Sequence, residues 1–242
     1  DDLTNTLEDS WMLSSSWWNS NAFHLDTVHL GPSGYTVTDQ PDIAVDPYTQ
    51  PGGAHQLGTL SLVNTDDARM AGTPVYQDGK IWAVTNTDQG GVPVLSWYEI
   101  DATTMAVLHS GTIGGGGLEA YYGSIAVNEF GDIVIGFSGS NDGIYPSAYA
   151  VHGKLDGFGN VTFDSPILLK AGTGNNVSGR FGDYSETMID PLDHHNFWTV
   201  QEYGVGGYGW GTYVAELTPV PEPATLGLLG LAGLAMLRRK RQ

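Results

Sequence analysis

The sequence predicts an all-β protein built like a β-propeller from four-stranded, blade-like repeats, followed by a C-terminal hydrophobic helix. Three observations predict it. Thirty-four glycines and 12 prolines in 242 residues cut the chain into short segments, and 7 tryptophans with 12 tyrosines favour strands over long helices. The run Tyr121–Phe137 reads as two short strands with Ile125, Val127, Ile133 and Ile135 apolar, joined by turn chemistry at Asn128, Gly131 and Asp132. The same unit recurs along the chain.

The first 40 residues carry few repeat signals. Trp11, Trp17 and Trp18 mark buried or sticky surface, and residues 23–30 alternate as a strand. Ile43-Ala44-Val45-Asp46-Pro47 resembles the first strand and turn of the central unit. A Pro/Gly/Gln-rich loop at 48–56 follows, then a further strand is expected at 57–63. From residue 73 the repeat is clear. Val75–Ile81 matches Val127–Ile133, a loop at 86–91 matches one at 138–143, and Trp97 stands 52 residues before Tyr149 as Ile81 does before Ile133. A third copy runs 184–189, 197–200 and 213–217, with a longer turn at 190–196. Fourth strands are expected at 105–113 and 161–169. A unit of 50–60 residues with about four strands has the period of a propeller blade. The expected division is an N-terminal β region at 1–72 that can supply a partial blade, three blade-like repeats at 73–217, a Pro-rich linker at 218–223, and a hydrophobic helix with basic tail at 224–242. A β-sandwich of similar strand count is the alternative. The chain opens Asp1-Asp2-Leu3 with neither Met nor an apolar leader, so a processed or truncated piece, and an incomplete ring, are expected.

Charge narrows the partners. Residues 1–220 hold five Lys/Arg against 26 Asp/Glu, a net charge of −21. Such a surface repels nucleic acid and anionic lipid and suits life outside the cytoplasm. With no cysteine, disulfides, thiolate metal sites and cysteine nucleophiles are excluded.

The composition breaks at Thr218. Thr218-Pro219-Val220-Pro221-Glu222-Pro223 is a stiff extended linker, because proline fixes φ and disfavours helix. Residues 224–237 are uncharged, and Arg238-Arg239-Lys240-Arg241 follow. Pro221, Glu222 and Pro223, the apolar run and the basic cluster, in that order, resemble the PEP-CTERM sorting signal of Gram-negative bacteria. The resemblance implies export, a transient inner-membrane anchor, recognition by an exosortase, and delivery towards the cell surface or extracellular matrix. Fourteen helical residues span about 21 Å, short of a ~30 Å hydrocarbon core, as suits a temporary anchor. The basic cluster belongs on the cytoplasmic side, with the acidic body outside.

Within the body, the densest stretch is Arg180-Phe181-Gly182-Asp183-Tyr184-Ser185 and its continuation through Asp190-Pro191 to Tyr203. It loosely resembles segments of uncharacterised secreted bacterial repeat proteins of sialidase-like or propeller type. Two readings stand open. Arg180 with Asp183 and Glu186 binds a polar or anionic ligand, or Arg180 pairs structurally with Asp183 while the Asp oxygens hold the turn. Sialidases bind their substrate carboxylate with several arginines, and this body has only Arg69 and Arg180, so that activity is not carried over. No catalytic residue is assigned. A glycosidase needs two carboxylates at a set separation, which 26 acids do not single out. His194 and His195 sit in a turn with Asp190 and Asp193, and read as solvated rather than metal-bound. His24 and His29 lack helical zinc spacing. The loops 86–91 and 138–143 read as ordinary Asx/Gly turns, with calcium as the alternative and no other cofactor expected. The expectation is an exported, surface-associated propeller-like protein that binds extracellular polysaccharide through no assigned chemistry. The alternative is an extracellular glycan hydrolase.

Overall fold

A tight turn starts each of the clearest repeats, and the turn residues show why. In the computed structural model, which describes residues 10–156, 158–182 and 185–219, Asp78 and Gly79 both adopt positive φ, 50° and 76°. This is the two-residue geometry that matches the right-handed twist of a hairpin. It joins β5 (Val75–Gln77) to β6 (Lys80–Asp88), and β7 (Pro93–Asp101) and β8 (Val107–Ile113) complete an antiparallel sheet in chain order. The next sheet repeats the plan with β9 (Glu119–Val127), β10 (Asp132–Asn141) and β11 (Ile144–Leu155), after which β12 (Val161–Phe163) and β13 (Ile167–Lys170) both pair with β11. Pro166 lies in the break between those two, where a residue without an N–H ends the ladder. A third sheet contains β14 (Glu186–Ile189), β15 (Phe197–Gly206) and β16 (Gly209–Leu217). The N-terminal sheet differs. β2 (Ser20–Gly31) is its centre, pairing with β1 (Ser10–Ser15), β3 (Gly34–Asp39) and β4 (Ile43–Tyr48).

The protein is thus all-β, with four antiparallel sheets among the described residues, and cores fill the gaps between successive sheets. Ile81 and Ala83 on β6 pack with Phe23, Leu25 and Ile43 of the N-terminal sheet. Their neighbours Trp82 and Val84 point the other way and join Ile125, Ile133, Ile135 and Phe137 of the following sheet. Strict alternation along a strand buried on both faces produces this, since successive side chains leave opposite faces. β10 does the same, with Val134 packed against Phe197 of the last sheet. Each large side chain so buried contributes about 1.5–3 kcal/mol.

Several expected boundaries move. Residues 57–63 form no strand. Leu60 and Leu62 are exposed, only an isolated Ala54–Val63 bridge forms, and Gln56 instead exchanges two 2.7 Å hydrogen bonds with the backbone of Asn176. Alternating apolar residues make a strand only when they pair along a sheet edge, and beyond the Ala54–Val63 bridge this segment joins none of the sheets. The expected loops at 86–91 and 138–143 begin inside strands. Asn86, Thr87, Ser138 and Ser140 are buried, and the turns are confined to the residues after Asp88 and Asn141. Among the described residues no helix is long and apolar enough to cross a membrane. The expected helix at 224–242 lies outside the described residues.

Candidate functional site

Four segments distant in sequence meet at a cleft of about 840 Å³. The turn between β1 and β2 brings Trp17 and Trp18, and the long connection from β4 to β5 brings Asn64, Asp66, Asp67 and Arg69. β9 brings Tyr122, and the connection after β13 brings Gly179, Arg180 and Phe181. Clefts of this size suit small ligands or a few units of a polymer.

Each wall is fixed by its own bonds. The Trp17 and Trp18 rings stack with centroids 6.1 Å apart and planes 19° from parallel, yet the residues remain 47% and 66% exposed. Trp17 Nε1 donates to Asp66 O at 3.1 Å, which ties the indole to the neighbouring wall. Arg69 donates from Nε and Nη2 to the Asp67 carboxylate, with Nη2 at 2.6 Å, and its guanidinium lies 4.3 Å over the Trp17 ring. A planar cation clamped by a carboxylate and stacked on an indole has one orientation. Tyr122 carries a positive φ of 54°, strained for a residue with a side chain. Its N–H donates to Asn86 Oδ1 at 2.7 Å and its hydroxyl to Asn64 O at 2.9 Å. Gly182 lies against the Tyr122 ring so closely that any Cβ would collide with it. On the far wall, Asn64 Nδ2 donates to Gly179 O at 3.1 Å, and Ser178 Oγ both accepts from Arg180 N and donates to Arg180 O.

The structure therefore places Arg180 at the cleft, exposed, together with Arg69. Asp183 lies outside the described residues, and the Arg180–Asp183 pair with it. Glu186 does not line the cleft. It sits on β14, where Thr73 Oγ1 donates to its Oε2 at 3.2 Å. His194 and His195 are exposed in the turn before β15, as expected, with His195 stacked on Phe130 at 3.8 Å. The sequence marks Trp17 and Trp18 as buried or sticky but does not seat them in one cleft with the two arginines, because that proximity joins a turn of the N-terminal sheet to two long connections between sheets.

Two other clusters are present. A hollow of about 480 Å³ is lined by Phe130, Asp132, His152, Lys154, Asp164 and His195, with Thr218 and Pro219 at the point where the chain leaves the body. Burial alone would push the Asp132 carboxyl up, but hydrogen bonds from Lys154 (2.7 Å), His152 and Asn128 outweigh it and hold it below the usual carboxylate range. On the N-terminal sheet, His24 lies 3.1 Å from Asp42, 3.4 Å from Asp26 and 3.9 Å from Asp39. Ligand atoms of His24, Asp26 and Asp39 lie within 4.8 Å of one another, a donor set of one imidazole and carboxylates. The Asp42 hydrogen bond, with the charges of the three aspartates, raises the His24 pKa. The sequence conceals this group, since it depends on the pairing of Asp26 with Asp39 across β2 and β3.

None of the curated proteins matches the chain. Among solved structures, a glycoside hydrolase superposes with a TM-score of 0.33 at 10% identity, over 90% of this chain and 61% of that one. The chain thus spans about three fifths of that structure's length, and a similarity this loose assigns neither fold nor activity. The C-terminus is decided by its own match. Residues 219–242, which contain Pro221, Glu222, Pro223, Arg238, Arg239, Lys240 and Arg241, carry the PEP-CTERM protein-sorting motif, the signal of an exported protein recognised in the membrane by an exosortase.

Proposed function

We propose that this is a surface-associated protein that binds extracellular polysaccharide in the Trp17/Trp18 cleft. After membrane-anchored transit, the sorting signal hands the body to the cell surface or matrix, where hydrated polymers are the abundant partner. The observation that carries the reading is the stacked, half-exposed indole pair on an open cleft. Indole rings offer flat apolar faces to the C–H face of a sugar ring while the surrounding Asn, Asp and Arg groups serve its hydroxyls. In the same reading, residues 73–217 are three blade-like units of a propeller-like body and residues 1–72 an atypical N-terminal unit. The serial packing of sheet upon sheet supports this. Residues 218–223 are the linker, and 224–242 the anchor and basic tail.

The test is retention of the full chain on a panel of insoluble and soluble polysaccharides. Trp18→Ala removes a largely exposed ring, so it is expected to cut glycan binding at least tenfold with little change in melting temperature. Binding unaltered by both Trp18→Ala and Trp17→Ala would overturn the cleft as the binding site. Release of reducing sugar from any of the polymers would favour the glycan-hydrolase alternative.

A further inference from the structure

We infer that the cleft selects neutral glycans with free neighbouring hydroxyls, stacked on Trp18, and that the Asp66 carboxylate accepts from a vicinal pair of those hydroxyls. This rests on the polysaccharide reading above and adds the substrate class to it.

The argument starts from which cleft groups are already engaged. Trp17 donates its Nε1–H to Asp66 O, lies under the Arg69 guanidinium and stacks on Trp18. Asp67 takes the Arg69 side chain on both carboxylate oxygens and accepts from Arg69 N–H at 2.8 Å as well. Arg180 is also engaged within the protein. Two groups are left for a ligand. One is the Trp18 ring, 66% exposed. The other is Asp66, whose backbone is held on both sides: its N–H donates to Asn64 Oδ1 at 3.2 Å, and its carbonyl accepts from Trp17 Nε1 and Gln50 Nε2. Its side chain is exposed at the cleft, and among the described residues its carboxylate accepts no hydrogen bond.

An ionised carboxylate only accepts hydrogen bonds, so its ligand must bring donors. Sugar hydroxyls do so, and two neighbouring ones match the two carboxylate oxygens with charge-assisted bonds. A pyranose whose C–H face lies on an indole presents its hydroxyls at the ring edge, where a wall of the cleft can reach them. Charge disfavours the other two glycan classes. Residues 1–220 hold five Lys/Arg against 26 Asp/Glu, a net −21, so a polyanion is repelled on approach and would bring acceptors to an acceptor. A polycation would be drawn to the body but would meet the guanidinium groups of Arg69 and Arg180 at the cleft. Two aspartates and two arginines leave the lining itself without net charge. A neutral ring opposes neither field.

The experiment measures binding to the full chain by calorimetry and tryptophan fluorescence. The probes are neutral hexasaccharides of glucose, mannose and galactose, the tightest of these with its ring hydroxyls methylated, a hexagalacturonate and a glucosamine hexamer. At least one neutral hexamer is expected to bind about tenfold or more tighter than the hexagalacturonate. Asp66→Asn should weaken that hexamer about tenfold with an unchanged melting temperature, because it removes the charge from the accepting group. The methylated hexamer should bind more weakly and be indifferent to Asp66→Asn, since it brings no donors there. Trp18→Ala should weaken every probe. Tightest binding by the hexagalacturonate or the glucosamine hexamer would overturn the neutral class and leave the polysaccharide reading intact. Equal affinity of the wild type and Asp66→Asn for the neutral hexamer would overturn Asp66 as the group that reads its hydroxyls. No binding of any glycan, here or in the wider panel, would overturn both readings.

Discussion

His24 shows how much a single residue here depends on its cross-strand neighbours. With Asp42 donating the strongest influence and Asp26 and Asp39 adding their charge, the imidazolium is favoured and its pKa rises above 6.5. A group whose pKa is higher folded than unfolded adds stability that is fully present below the unfolded value. That stability is lost as the pH climbs through the folded one. The His24 contribution to the N-terminal sheet should therefore fade as the pH rises above 6.5. An NMR titration should place the His24 midpoint above 6.5, and Asp42→Asn should lower it. A midpoint at or below 6.5 would contradict the arrangement. The sequence showed only a histidine two residues from an aspartate on a strand. It could not show which acids the folding of β3 and the following loop would add.

At the scale of an element, the repeated turn is instructive because three copies solve one problem differently. Asp78-Gly79 uses positive φ at two residues. Asn128 instead accepts from the N–H groups of Phe130 (3.0 Å) and Asp132 (2.9 Å), with Gly131 taking the left-handed position. Asp190 accepts from Leu192 and Asp193 N–H and from Trp198 Nε1 at 2.7 Å, and these bonds, led by the indole, hold its carboxyl below the usual range. The spacing of apolar residues around the turns made the repeat legible, since the hairpin strands must register whatever the turn's chemistry. Asn128 is 1% exposed, so Asn128→Ala should leave the buried Asp132 N–H and the part-buried Phe130 N–H without their acceptor and cost about 1–3 kcal/mol in chemical denaturation. Gly79→Ala should cost about 1–2 kcal/mol, from backbone strain alone, because a Cβ there meets nothing within 4 Å. No measurable loss at either position would contradict this account of the turns.

Across the whole molecule, the gaps between sheets are not equally apolar. The first two are hydrophobic, but between β9–β10 and β14–β15 a buried polar cluster takes over. Ser124 and Thr187 share a 2.8 Å bond, Thr187 and Thr199 a 2.9 Å bond, and Gln201 Nε2 donates to Ser124 Oγ at 3.0 Å and Thr199 Oγ1 at 2.8 Å. Gly136 leaves the space these groups occupy, and a Cβ there would collide with Thr199 Oγ1 and Gln201 Nε2. Gly136→Ala should therefore destabilise by about 1–3 kcal/mol, as overpacking does, and shift the melting temperature down. An unchanged melting temperature would mean that the last sheet docks more loosely than its network implies. The same docking seats the connection carrying Arg180, through Gly182 N–H donating to Glu202 at 2.7 Å, so the variant should also weaken glycan binding.

The chain's all-β class, the period of its repeats, its acidity and its sorting signal were determined by sequence alone, because each is a property of neighbours along the chain. Alternation, turn residues and a proline-led tail do not need a partner segment to be recognised. The strand expected at 57–63 failed for the complementary reason: its pattern was suitable, but only the assembled sheets decide which segments pair along an edge. The cleft was decided by tertiary structure as well. Trp17, Arg69, Tyr122 and Arg180 span more than 160 residues, and no local rule relates them. Their meeting follows from how successive sheets stack and where the long connections cross, which is set by side-chain volume and buried hydrogen bonds between sheets.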